Sequence, residues 1–195
     1  TKATADLAGL TKRLLKFHAD LAQETPEMAS LRTQLSGTGT YDTEPLPEGY
    51  QLVELALTGL TGGHSGMDIH RGRANANKLM NRLLEVAARD LGARLVKIDG
   101  GGLRNAIPRE SHATLAVASE RMEGLRALEE SLQNTMANEY ATTDPSLALA
   151  VTPSGPASGE AASPEATLQF ARAIHSLPNG IYRLSPDVEG LVQTS

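Results

Sequence analysis

An α+β fold, a split βαβ sandwich of ferredoxin-like order, is what these 195 residues predict. Two observations carry that expectation. Four short segments, 51–58, 93–99, 112–118 and 146–152, alternate apolar and polar residues with the period of a strand. Two longer segments with a 3.6-residue apolar period follow the first and the third of them. The order β-α-β-β-α-β folds into a four-stranded antiparallel sheet with two helices on one face, and additional helical segments flank it on both sides.

Taken in order, Leu7, Leu10, Leu14, Phe17 and Leu21 recur at spacings of three and four, one face of an amphipathic helix, with His18 beside the stripe. Thr25 and Pro26 read as the cap and first residue of a second helical piece. The stretch 36–49, S-G-T-G-T-Y-D-T-E-P-L-P-E-G, has turn formers and no period and reads as a linker. The expected division is therefore a helical segment with linker over 1–45 and the main domain over 46–195. In the first strand Val53, Leu55 and Leu57 face one way and Leu52, Glu54 and Ala56 the other. The helix after it carries Ala76, Leu79, Met80, Leu83, Ala87 and Leu91 on one face and stops at Gly92. The second strand sets Leu95 against Val96 and Ile98 and ends at Gly100, Gly101 and Gly102. Ala113, Leu115 and Val117 share a face of the third strand. Leu125, Leu128, Leu132 and Met136 mark a helix over 120–139, and Leu147, Leu149 and Val151 mark the fourth strand. A small-residue loop over 153–163 leads to a helix over 164–176 whose His175 suits the negative end of its dipole. A last strand is expected over 188–194.

Composition narrows the function classes. Apolar residues make up 40% and charged residues 21% of the chain, an ordinary globular balance. No apolar run approaches the roughly 20 residues of a membrane span, and the charged first twenty residues do not read as a secretory leader. With no cysteine, disulfides and thiolate metal sites are excluded and a cytoplasmic location is the expectation. A net charge of −5 and 3% aromatic residues speak against nucleic acid, which favours basic grooves and stacking rings. A small molecule or a protein is the expected partner.

Chemistry concentrates in one stretch, G-L-T-G-G-H-S-G-M-D-I-H-R-G-R-A-N-A-N-K-L-M, residues 59–80, where Gly59, Gly62, Gly63 and Gly66 bracket His64 and Ser65. Glycine permits φ > 0 and close backbone approach, so such a turn presents what it carries; a long βα turn with a solvated histidine fits the same spacing. The predicted topology brings this turn to the same sheet end as G-G-G-L-R-N-A-I-P-R-E, residues 100–110. His64, His70, Arg71, Arg104, Asn105 and Arg109 then share one rim. These are cations and amide donors, suited to an anionic or peptide-like group, without a nucleophile and base to hydrolyse it. His64 and His70 are six residues apart in a loop, not the i, i+4 pair of a helical zinc motif, and the adjacent Glu129 and Glu130 point apart, so no metal site is expected within this chain. Ser65 has no activating base at a recognisable spacing.

The segments just quoted, with P-E-G-Y-Q-L-V-E-L-A-L-T before them and S-L-P-N-G-I-Y-R and V-E-G-L-V-Q-T-S near the end, resemble the lid or dimerisation domain of aminoacylhistidine (Xaa-His) dipeptidases. These cytosolic non-specific dipeptidases belong to the co-catalytic two-zinc exopeptidases, and the resemblance covers about three-quarters of the chain. It implies a parent enzyme whose separate catalytic domain holds two zinc ions, a bridging water and a glutamate base. This chain lacks a His-x-Asp strand end and a paired-glutamate segment, so it reads as the lid alone, binding no cofactor and inactive by itself. The resemblance implies that His64 reaches over the active site, often from the opposite subunit, to polarise the substrate carbonyl, and that Asn105 contacts a dipeptide substrate. Distant members place an arginine in the following strand for the substrate carboxylate; here that strand reads A-T-L-A-V-A-S, leaving Arg109 or Arg104 as the substitute. A homodimer is implied as well, and the 93–99 strand, an edge in this topology, or the helix next to it is the surface on which the second copy is expected. Residues 1–44 have no counterpart in the resemblance. A stand-alone ferredoxin-like module, binding a ligand at the rim or serving regulation or assembly, is the competing reading.

Overall fold

The structure, a computed structural model, describes residues 43–103 and 105–194. The two helical pieces expected before residue 36 and the residue Arg104 lie outside that range. The strands are β1 (Thr43–Pro45), β2 (Tyr50–Thr58), β3 (Gly63–His64), β4 (Arg94–Gly100), β5 (Ala106–Ile107), β6 (Ser111–Ala118), β7 (Ala148–Pro156), β8 (Glu160–Ala162), β9 (Arg183–Leu184) and β10 (Val192–Thr194). The helices are α1 (Ala76–Leu91), α2 (Met122–Glu139) and α3 (Pro164–Ser176). The main sheet runs β4-β6-β2-β7 with every pair antiparallel. This is the expected split βαβ order.

Alternation explains the core. Val53, Leu55 and Leu57 of β2 are buried together with Ala113, Leu115 and Val117 of β6, and the helical stripe Leu79, Met80, Leu83, Leu84 and Ala87 closes over them. Leu125 and Met136 bring α2 onto the same face. Helix α1 begins where Asn75 Oδ1 accepts from the backbone N–H groups of Asn77 and Lys78, 3.0 and 3.3 Å away, and ends at Gly92 with φ 64°. Helix α3 joins the layer beside α1: Asn81 Nδ2 donates to Ala171 O (2.7 Å), and Lys78 Nζ caps its last turn, donating to the carbonyls of Ile174 (2.7 Å), His175 (3.2 Å) and Leu177.

Several expectations need correction. Leu95 and Ile98 were expected on opposite faces of their strand, yet both pack against the core while Val96 is 40% exposed. The pairing jumps from Leu95↔Leu115 to Lys97↔Thr114, so Val96 is the extra residue of a β-bulge that resets the alternation. The fourth strand starts at Ala148 and runs on to Pro156, through what reads as a loop. It is an edge strand, where Pro153 and Pro156 are tolerated, and a second bulge at Ser154 absorbs the mismatch between Leu52↔Gly155 and Val53↔Pro153. Within the expected linker, β1 pairs with β8, Thr43 opposite Ala162. Of the last strand expected over 188–194 only β10 forms, in a hairpin with β9 apart from the main sheet.

Both sheet edges are partly occupied by the chain itself. On β4 the Leu95 N–H donates to Thr167 Oγ1 of α3 (2.9 Å). On β7 the N–H groups of Leu149 and Val151 donate to Gln133 Oε1 (2.6 Å) and Glu129 Oε1 (2.8 Å), one turn apart on α2. Such side chains blunt an edge that would otherwise pair with another strand.

Candidate functional site

The glycine-rich turn leaves β2 at Gly59 and enters α1 at Asn75. Two of its glycines are required by geometry. Gly59 has φ +78° and lies against the Ser146 carbonyl, and Gly63, φ +146°, lies where a Cβ would come 2.9 Å from Asp68 Cβ and against the Arg73 guanidinium. Closely packed there, the chain forms β3, which pairs with β5 so that His64 stands opposite Ala106. Ser65 N–H donates to Asn105 O at 2.9 Å, and Ala76 N–H, in the first turn of α1, donates to Pro108 O at 2.9 Å. The two glycine-rich loops are thus joined through their backbones. His64 and Asn105, both exposed, emerge side by side on one rim, as the topology implies.

Asp68 braces the turn. Its Oδ2 accepts from the backbone N–H of His64 (2.8 Å), its own N–H donates to His64 O (2.9 Å), and its Oδ1 pairs with Arg71 Nε (3.0 Å). Arg73, whose NH1 donates to Gly62 O at 2.6 Å, stands 3.8 Å from Asp68 Oδ2. The His64 N–H first, then the charges of Arg71, Arg73 and His70, hold the Asp68 carboxyl below its ordinary range. A carboxylate with a depressed folded pKa contributes its tether fully above the ordinary aspartate range and loses it as pH falls through the lower, folded value. The expected result is a carboxyl 13C titration of Asp68 with a midpoint below that of an unstructured aspartate, moving upward in Arg71→Ala; a midpoint at or above the ordinary value would contradict this account.

The imidazole of His64 is itself oriented. Its Nδ1 accepts from the backbone N–H groups of Gly66 (3.0 Å) and Met67 (3.1 Å). A nitrogen that accepts two N–H groups carries no proton, so the ring hydrogen resides on Nε2, the far side of the ring. Sequence reasoning could find the histidine but not this ring orientation. Arg109 is exposed and sits against Gly62, where an added Cβ would come 3.1 Å from Arg109 Cβ. His70 is exposed and Arg71 is engaged by Asp68. Missed by sequence reasoning are two apolar neighbours on the rim, Met67 and Leu103, 76% and 68% exposed. Their exposure reflects tertiary placement that no periodicity signals.

Chemically, the rim offers an imidazole N–H, a carboxamide and a guanidinium. It can bind and polarise an oxygen-rich group. Among the described residues no three His, Cys, Asp or Glu side chains are placed to hold a metal ion, and the His64 nitrogen on the loop side is occupied by backbone donors. The donor set does not fit a two-zinc centre. Among the described residues no helix is long and apolar enough to cross a membrane.

Residues 55–144 match the family described as the peptidase dimerisation domain. Over 160 residues the chain is 42% identical to the cytosol non-specific dipeptidase of Escherichia coli K12, an alignment covering 79% of this chain and 32% of that protein. The crystal structure of the aminoacylhistidine dipeptidase of Vibrio alginolyticus superposes with a TM-score of 0.72 at 37% identity, covering 78% of this chain and 31% of that one. The chain spans about a third of the length of these relatives. The stretch 55–144, which carries the end of β2, the His64 loop, β4, Asn105 and β6, is therefore a peptidase dimerisation domain in a homologue of those dipeptidases.

Proposed function

We propose that this chain serves as the substrate-facing lid of a zinc metallo-dipeptidase acting on dipeptides such as Xaa-His in the cytoplasm, with residues 46–195 as the lid and 1–45 as a segment whose last three residues, β1, pair onto that lid at β8. The observation that carries the reading is the His64 imidazole, with Nδ1 held by Gly66 and Met67 N–H and Nε2–H left to donate. In this reading His64 polarises the scissile carbonyl, Asn105 holds the peptide and Arg109 receives the substrate carboxylate. The two zinc ions belong to a domain outside this chain, which would supply the activated water. The exposed Met67 and Leu103 flank the rim as apolar surface that a closed enzyme would cover. A two-fold dimer of lids completes the proposal, with the exposed bulge at Val96 as the part of the β4 edge open to a partner.

The test is hydrolysis. Full-length protein loaded with zinc is expected to cleave Xaa-His dipeptides, to lose that activity to a chelator, and to sediment as a dimer, while residues 1–195 alone cleave nothing. Absence of peptidase activity in the full-length protein, together with ligand binding by residues 1–195, would overturn the proposal in favour of a stand-alone binding module.

A further inference from the structure

Loop 61–74, which carries His64, is closed at both ends by one side chain from a distant part of the sequence. Thr61 N–H donates to Asp144 Oδ1 at 2.8 Å, and Ala74 N–H donates to Asp144 Oδ2 at 2.9 Å. Asp144 lies in the connection from α2 to β7 and is 1% exposed. It is fixed in turn: its N–H donates to Tyr140 O (2.8 Å), Leu147 N–H donates to its carbonyl (3.0 Å), and Thr143 Oγ1 donates to Oδ2 (2.8 Å). Thr61 Oγ1 adds a bond to Thr143 O at 2.6 Å. Burying a carboxyl group is costly unless its oxygens are satisfied, and here two backbone N–H groups and a hydroxyl satisfy them. The two backbone donors are the first and last residues of the loop, so the group that needs them also sets their separation.

We propose that Asp144 is a positioning residue for His64: its carboxylate clasps the two ends of loop 61–74 and thereby fixes where the His64 imidazole is presented. The inference rests on the lid reading for its consequence in catalysis, but not for the clasp itself. Nothing in the hydrophobic pattern requires an acid at this place. A carboxylate alone among side chains of this length offers two equivalent acceptors, one for each loop end. In Asp144→Asn one oxygen becomes an NH2 group that faces an N–H donor, so one end of the loop is released while shape and volume stay the same.

Two readouts separate the clasp from the lid reading. In the full-length protein, backbone amide exchange at Gly66 and Met67 reports the bonds to His64 Nδ1, and 15N shifts of the imidazole report which nitrogen carries the proton. Asp144→Asn is expected to speed exchange at both amides about tenfold or more and to mix the two imidazole proton positions. It is also expected to lower kcat about tenfold or more with KM changed less than about twofold, since Asn105 and Arg109 keep their places. Unchanged exchange and unchanged imidazole shifts in a folded Asp144→Asn would overturn the clasp whatever the activity. Altered exchange with wild-type kcat would uphold the clasp and instead remove His64 from the reaction. Should Asp144→Asn fail to fold, Thr143→Val decides: it removes one donor to the carboxylate without touching the loop, and faster exchange at Gly66 and Met67 supports the clasp, whereas wild-type exchange overturns it.

Discussion

His64→Ala in the full-length protein is expected to lower kcat about 10²- to 10³-fold, about 2.7 to 4 kcal/mol, with melting temperature and zinc content unchanged. A donor aimed at an oxygen that gains negative charge in the transition state contributes there and little in the ground state, so the loss falls on kcat. The imidazole is exposed and its only described bonds are the two that Nδ1 accepts from Gly66 and Met67. Water can replace those on the surface, so stability is little affected. The sharper variant is His64→Asn. Its carboxamide oxygen can take the place of Nδ1 as acceptor, keeping the loop intact, while no group remains where Nε2–H was. If His64→Asn keeps wild-type kcat, the outward N–H has no part in the reaction; if it loses as much as His64→Ala, the donor and not the loop is what catalysis requires.

The architecture was legible because two periods, 2 and 3.6, alternate cleanly between 51 and 152, and only one common sheet topology accommodates the order they spell. The meeting of the two glycine-rich loops followed from that topology, since β2 and the β4–β6 hairpin must end at the same side of the sheet. What escaped has physical reasons. A bulge adds one residue without altering composition, so Val96 and Ser154 left no mark in the alternation, and Ile98 was placed on the wrong face. The three-residue pairing of β1 with β8 is too short to carry a period, and Pro45 and the glycines around it read as linker. At the site, residue types and spacing brought His64, Asn105 and Arg109 to one rim. They could not reveal that Asp68 accepts from the His64 backbone, or that two amides select the imidazole nitrogen that carries the proton. Those depend on atomic distances set by the fold, and a carboxylate in a loop looks the same in sequence whether it is a brace or a solvated charge.

Gly59→Ala is expected to destabilise the chain by about 2 to 5 kcal/mol, the sum of a left-handed backbone and a steric clash. The last pair of β2 with β7 is Thr58↔Ala148, and Gly59 follows it with φ +78°. A Cβ there would fall inside the van der Waals surface of the Ser146 carbonyl, a backbone group that cannot swing away as a side chain can. Relief requires moving either the end of the β2–β7 pairing or the start of the loop that carries His64. Gly72→Ala is the control: its φ is +66°, yet nothing lies within 4 Å of the added Cβ, so only the conformational cost of about 1 to 2 kcal/mol is expected. Urea unfolding midpoints of the two variants, compared at equal m-values, isolate the clash. Equal losses in both would mean that the Ser146 carbonyl yields at no cost and that the loop mouth is soft. A larger loss in Gly59→Ala means that the mouth is rigid, and a rigid mouth is what allows a fourteen-residue loop, 61–74, to hold an imidazole in a fixed direction.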